Sequence, residues 1–121
     1  MEFKHILFVA VGGGLGSVLR VLLGQMNRGS FPFSTLIVNV LGSFLIGLLF
    51  NLLGEDNERS GLRFFLLAGF CGGFTTFSTF SLDVLKLLRD GNLGLALANV
   101  LLSVSCCIVA VFVGWKLSAA S

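Results

Sequence analysis

The fold is decided by one stretch, Gly69-Phe70-Cys71-Gly72-Gly73-Phe74-Thr75-Thr76-Phe77-Ser78-Thr79-Phe80-Ser81, which lies within an apolar segment long enough to cross a membrane. Its adjacent glycines weaken a helix, and the β-branched and hydroxyl residues after them compete for backbone hydrogen bonds. Irregular backbone survives in hydrocarbon only where it is buried in protein or lines a polar site, since an unpaired backbone group is costly there. The stretch therefore predicts a membrane helix broken near 72–77, which is typical of sites that bind or pass small ions.

The composition indicates an integral membrane protein. Of the 121 residues, 55% are hydrophobic and only 12% are charged, whereas about 25% of residues are charged in soluble domains. Since a bilayer crossing takes about 20 apolar residues, the chain predicts a single transmembrane domain with helices at roughly 5–24, 33–53, 62–89 and 93–117. The acidic segment with Glu55, Asp56 and Glu58 is expected to be a solvated loop, and the net charge of +2 is too small to indicate a nucleic-acid partner.

The first two helices carry the features expected of close packing and of a polar interior. Gly12 and Gly16 form a small-xxx-small pattern, which lets two helix backbones approach closely. Arg20 either extends to the membrane surface or makes a structural pairing. Asn39 lies in mid-membrane, where an amide must face protein or water, so it either bonds another helix or lines a pore.

The second half of the third helix combines aromatic and polar side chains on one side. At about 100° per residue, Thr76, Thr79, Phe80 and Asp83 fall within one narrow band and Phe77 lies beside it. Phenylalanine ring edges are weakly positive and attract small anions, and hydroxyl groups add stronger donors. Asp83 is either a carboxylate near the membrane surface, close to Lys86, or a group in the path that requires protonation or a nearby cation.

A second polar stripe follows the fourth helix. Asn99, Ser103 and Cys107 are spaced four residues apart and therefore share one face. This spacing suits a packing seam of small residues, and it equally suits a polar path.

The charges give the chain no preferred orientation in a membrane. Four helices place four cationic residues on each side, namely Lys4, Arg59, Arg63 and Lys116 on one and Arg20, Arg28, Lys86 and Arg89 on the other. Because cytoplasmic loops normally carry the excess of Lys and Arg, either the boundaries are misplaced by a residue or two, or the protein inserts both ways. Dual insertion allows an antiparallel homodimer.

The stretch quoted first resembles the signature of the Fluc (CrcB) fluoride channels. Three further stretches agree with that family in order and spacing: Gly12-Gly-Gly-Leu-Gly16 with Arg20, Thr35-Leu-Ile-Val-Asn39 with Gly42-Ser-Phe44, and Asn99-x-x-x-Ser103. The resemblance implies an all-α protein that forms an antiparallel, dual-topology homodimer in the cell (inner or plasma) membrane. It also implies passive, fluoride-selective export through two narrow pores, which protects the cell from fluoride toxicity.

The resemblance also implies roles for individual residues. Residues that match the family's fluoride pore are Asn39, Phe77, Ser78, Thr79 and Phe80. The backbone carbonyls of Gly72 and Thr75 match those that hold a structural sodium ion at the dimer interface. A polar track corresponds to Asp83, Asn99, Ser103 and Cys107, where family members often carry a glutamate, a tyrosine and two serines. These substitutions change the track, above all at Cys107, where a hydroxyl donor is lost.

Two other classes of protein compete with this interpretation. A small proton-coupled multidrug or cation exporter of dual topology also has four short helices, but it requires a membrane-buried carboxylate, and the first helix has no acidic residue after Glu2. A structural subunit without transport would leave the break unexplained. No enzyme is expected, because the sequence has no Ser-His-Asp set, HExxH motif, phosphate loop or Cys-His metal spacing.

Overall fold

The computed structural model describes residues 1–54 and 58–119, and within these residues it contains four long apolar helical spans. They are α1 (Phe3–Gly24), α2 (Phe33–Leu53), α3 (Ser60–Arg89) and α4 (Leu93–Ala119). Each is long and apolar enough to cross a membrane. The predicted all-α membrane architecture, with its third helix interrupted, is confirmed. Glu55 and Asp56 of the expected solvent loop lie outside the described residues, and Glu58 is exposed.

The first helix begins at Phe3, two residues earlier than the apolar pattern indicates. The backbone N–H of Glu2 donates to Nδ1 of His5 over 3.2 Å, which satisfies a group that a helix start otherwise leaves unpaired. The second helix begins directly after Pro32, and Oδ1 of Asn27 accepts the backbone N–H of Ser34 at 2.9 Å. Side chains thus fix both helix starts.

The third span is divided at two residues. Its first half, α3a, covers residues 60–74 and contains π-helical turns over Phe64–Cys71. Thr75 and Thr76 are then extended, with φ/ψ of −85°/156° and −153°/123°. The second half, α3b, runs over Phe77–Arg89.

The break is therefore shorter than the expected 72–77, and of the two expected causes it lies at the hydroxyl residues rather than at the glycines. Gly72 is helical, and Gly73 lies in the same helical turn. The extended residues are the two threonines, whose hydroxyls compete for backbone hydrogen bonds as the sequence indicated. Oγ1 of Thr75 donates to the Cys71 carbonyl at 2.8 Å, and Oγ1 of Thr76 accepts the backbone N–H of Thr79 at 3.1 Å.

Glycines set the packing of α1 on α3a. A Cβ on Gly12 or Gly16 would overlap the α3a backbone, and one on Gly73 would lie 2.5 Å from the Gly13 carbonyl oxygen. The predicted close approach at Gly12 and Gly16 is confirmed. It places the end of α3a directly against the face of α1 that carries Ser17 and Arg20.

A second close contact joins α2 to α4. A Cβ on Gly47 would overlap the Val111 carbonyl, and one on Gly114 would overlap the Phe44 carbonyl. The fold therefore consists of two tightly packed helix pairs, α1 with α3a and α2 with α4, and α3b packs against α4. The break at Thr75 and Thr76 lies where these pairs meet.

Candidate functional site

Asn39 joins α2 to the break through two hydrogen bonds. Its Nδ2 donates to the Thr76 carbonyl at 3.1 Å, and its Oδ1 accepts the Thr76 backbone N–H at 2.8 Å. One amide side chain therefore satisfies both backbone groups of a residue that has left the helix. Of the two interpretations open from the sequence, the bond to another helix is present, and Asn39 also lines the groove described below.

Hydroxyl groups collect at the start of α3b. The Thr76 hydroxyl caps the helix, lies 3.2 Å from the Ser78 hydroxyl and donates to the Thr79 hydroxyl at 3.3 Å. The first turn of a helix has unpaired backbone N–H groups and a partial positive charge, so this end favours anions. Ser78 is exposed and Thr79 is half-buried.

Phe77 and Phe80 lie side by side. Their ring centroids are 5.4 Å apart and the ring planes are inclined by 48°. Phe77 is 77% exposed, whereas Phe80 is 9% exposed. One ring thus projects from the protein surface and the other is in its interior.

A groove of about 450 Å³ runs along the break and is open on one side. It brings together side chains from three helical spans, namely Asn39, Thr76, Phe77, Phe80, Ser103 and Cys107. The predicted residues Ser78, Thr79, Asp83 and Asn99 do not line it. Most of the lining is apolar, with hydroxyl, amide and thiol groups at intervals, and this combination is typical of sites that hold a small ligand loosely.

The predicted track on α4 is partly closed by its own side chains. Asn99 is 1% exposed, and its Oδ1 accepts a hydrogen bond from Oγ of Ser103 at 3.0 Å. Within the described residues, Nδ2 of Asn99 and Oδ2 of Asp83 are buried and have no hydrogen-bond partner. A buried polar group without a partner costs about 1–3 kcal/mol, so these two atoms are donors or acceptors that a polar ligand could use. Cys107 is half-buried on the groove wall.

Ser17 was not among the residues singled out from the sequence. Its Oγ donates to the Gly73 carbonyl at 3.4 Å, and Nε of Arg20 donates to the same carbonyl at 3.2 Å. Of the two interpretations of Arg20 that the sequence left open, the structural pairing is therefore the one that the structure contains. Gly13, Ser17 and Arg20 occupy positions i, i+4 and i+7, so the helical spacing alone would have shown that they share a face.

Two carbonyls at the break remain available to a ligand. Within residues 1–54 and 58–119, the Gly72 and Thr75 carbonyls accept no hydrogen bond across the break, and Gly72 is exposed. Free carbonyl oxygens are suitable ligands for a hard cation such as sodium. The same residues contain no cluster of three His, Cys, Asp or Glu side chains that fits a metal ion. The chemistry of these two carbonyl oxygens is therefore compatible with a hard cation.

A four-span membrane protein with an interrupted helix beside a partly polar groove belongs to the class that binds or passes small solutes within the bilayer. Comparison with known families then identifies the chain as a member of the CrcB family, since the family profile described as CrcB-like protein, Camphor Resistance (CrcB), matches residues 7–115. The resemblance inferred from the sequence motifs is confirmed.

Individual relatives align over almost the whole chain. A protein of Agrobacterium fabrum is 47% identical over 118 residues, which are 93% of this chain and 94% of the relative. A protein of Shewanella halifaxensis is 45% identical over 119 residues, 94% of this chain and 95% of the relative. A protein of Thermus thermophilus is 45% identical over 124 residues, which are 99% of this chain and 98% of the relative. Each of the three is named a fluoride-specific ion channel FluC.

Proposed function

We propose that this protein is a fluoride-selective ion channel that lets fluoride leave the cell passively and so protects the cell from fluoride toxicity. The relatives that align over nearly the whole chain carry the name of fluoride-specific ion channel. The observation that carries the proposal in the molecule itself is the groove beside the break, with Phe77 and Phe80 on its wall. A channel performs no bond chemistry, so the protein is not an enzyme.

Fluoride passage depends in this proposal on two kinds of contact. The edges of the Phe77 and Phe80 rings attract the anion weakly, so the anion can also leave. The hydroxyls of Ser78 and Thr79 and the second N–H of the Asn39 amide are the stronger donors. Because one N–H of Asn39 is committed to Thr76, the amide holds a fixed orientation toward the path.

The functional unit in this proposal is an antiparallel homodimer of dual topology in the cell (inner or plasma) membrane. The groove is open on one side, and Phe77 at its edge is 77% exposed. A second copy related by a two-fold axis in the membrane plane would close both grooves and make two equivalent pores. Arg20 bonds the break rather than the membrane surface, and the other cations still divide nearly evenly between the two sides.

The same proposal includes a structural sodium ion at the dimer interface. The Gly72 and Thr75 carbonyls of each copy supply its ligands, and the assignment is supported because, within the described residues, these carbonyls accept no backbone hydrogen bond across the break. Two carbonyls make half of a four-oxygen shell, which the partner completes by symmetry. When bound, the ion supplies a positive charge close to the anion path.

Beyond the phenylalanines, a polar track continues the path. It consists of Asp83, Asn99, Ser103 and Cys107. The buried, unpaired atoms of Asp83 and Asn99 support this assignment. The proton-coupled multidrug or cation exporter is not favoured, because Asp83 is the only acidic residue in the four helical spans and the relatives are named fluoride channels.

The test is fluoride efflux from liposomes that contain the purified protein, with potassium and valinomycin to clamp the voltage. Wild type is expected to release fluoride rapidly and chloride slowly. Phe80→Ile is expected to reduce fluoride efflux at least about tenfold, because it removes a ring edge from the path. Phe112→Ile, an equivalent change at a 59% exposed ring on α4, is the matched control and keeps the wild-type rate. Wild-type protein that releases no fluoride contradicts the proposal.

A further inference from the structure

Arg20 lies within a membrane-spanning helix and bonds the backbone of another helix. It is half-buried in an apolar helix, and its Nε donates to the Gly73 carbonyl at 3.2 Å. The Ser17 hydroxyl reaches the same oxygen at 3.4 Å. Two side chains of α1 therefore meet on one backbone atom of α3a.

That atom belongs to the break. In a continuous helix the Gly73 carbonyl would accept the backbone N–H of Phe77, four residues later. Because Thr75 and Thr76 are extended, this bond is lost and the carbonyl would be unpaired within the membrane. The close glycine packing of α1 on α3a brings Arg20 and Ser17 within reach of it.

The backbone groups that the break releases thus fall into three sets. Arg20 and Ser17 hold the Gly73 carbonyl, and Asn39 holds both backbone groups of Thr76. The Gly72 and Thr75 carbonyls accept no backbone hydrogen bond across the break from the part of the chain that the structure describes. The orientation of each peptide group at the break follows from this division.

Arg20 also lies next to the hydroxyl groups of the proposed path. It lines a cavity of about 170 Å³ together with Thr76, Thr79, Ser34 and Thr35. The groove with the phenylalanines shares only Thr76 with this cavity. The guanidinium therefore lies across the break from the groove, and Thr76 connects the two sides.

We infer that Arg20 is a positioning residue of the ion path: by holding the Gly73 carbonyl together with Ser17, it fixes the break and thereby the Thr76 and Thr79 hydroxyls. This inference rests on the proposed fluoride channel. Arg20 acts through the Gly73 carbonyl and does not touch the ion. A charge-assisted hydrogen bond is about twice as strong as a neutral one, and for this reason a methionine or glutamine is a poor substitute and a lysine a partial one.

The inference is tested by fluoride efflux from liposomes with wild type, Arg20→Met, Arg20→Lys and Arg28→Gln. Arg20→Met is expected to slow efflux by about tenfold or more, the factor that corresponds to one lost charge-assisted bond. Arg20→Lys restores a cationic donor of similar length and is expected within about threefold of wild type. Arg28 is exposed, so Arg28→Gln is the matched arginine control and keeps the wild-type rate.

Melting temperature and gel-filtration elution are measured for each variant, so that a folding defect is separated from a defect in the path. If Arg20→Met does not elute as the wild type does, Arg20→Gln replaces it, with an expected rate below that of Arg20→Lys. A rate for the uncharged variant that equals the wild-type or Arg20→Lys rate overturns the positioning role. If the wild type itself releases no fluoride, the proposed function fails and this inference fails with it.

Discussion

At the scale of single residues, the site is built from side chains that take over bonds normally made by the backbone. Backbone groups that the break releases are bonded by the side chains of Asn39, Thr76, Ser17 and Arg20. A hydrogen bond in the protein interior is favoured chiefly because leaving the group unpaired is costly. The polar residues around the break are therefore required for the backbone to leave the helix at all, whatever else they contact.

Cys107 permits a residue-scale test of the polar track. Its thiol is a weak donor on the groove wall, so Cys107→Ser is expected to raise fluoride efflux about threefold, the effect of a slightly stronger hydrogen bond on the rate. Cys106→Ser is the matched control, because Cys106 is also half-buried but does not line the groove. Efflux is measured in liposomes at equal protein density. Equal rates for the two variants would remove Cys107 from the path.

At the scale of helices, periodicity and composition predicted the number of spans, the interruption of the third one and the close approach at Gly12 and Gly16. The position of the break within its stretch was not predictable in the same way. The sequence placed the break near 72–77, across the glycines and the hydroxyl residues after them, yet Gly72 and Gly73 stay helical, and α1 packs directly on Gly73. At Gly73, tertiary packing thus overrides local propensity, and the break lies at the threonines, whose hydroxyls compete for backbone hydrogen bonds.

The other site features missed from the sequence depend on contacts between distant segments. Nothing in the local pattern indicates that Ser17 and Arg20 reach Gly73, more than fifty residues later. The helical spacing gives the face of α1 on which they lie, and only the packing of α1 on α3a gives their partner. The buried pair of Asn99 and Ser103 is different, because a spacing of four residues already places the two side chains in contact.

The glycine contact between α1 and α3a leads to a prediction about these helices. Gly16→Leu is expected to destabilise the protein by about 1–3 kcal/mol, because its side chain would overlap the α3a backbone. Gly14→Ala is the matched control, since a Cβ there meets no atom within 4 Å and alanine favours the helix. Thermal unfolding in detergent measures both variants. A Gly16→Leu protein as stable as Gly14→Ala would show that α1 and α3a do not pack at this distance.

At the scale of the whole molecule, the groove of a single chain is open to its surroundings. The groove is open on one side, Phe77 projects from the surface, and within the described residues the Gly72 and Thr75 carbonyls accept no backbone hydrogen bond across the break. In the proposed antiparallel dimer all three features are completed by the same symmetry operation. The nearly even division of cations between the two ends of the helical spans is compatible with the proposed dimer, because a dimer of this kind needs both orientations of one sequence.

The dual topology can be tested by biasing the charges in two variants. Lys4→Gln with Lys116→Gln removes exposed cations from one side, and Arg28→Gln with Lys86→Gln removes exposed cations from the other. Since positively charged segments stay in the cytoplasm, each double variant is expected to insert in a single orientation and to give little fluoride efflux. Co-expression of the two is expected to restore efflux, because opposite orientations can then pair. Wild-type efflux from one variant alone, with all of its copies labelled from the same side of the membrane, would contradict the antiparallel dimer.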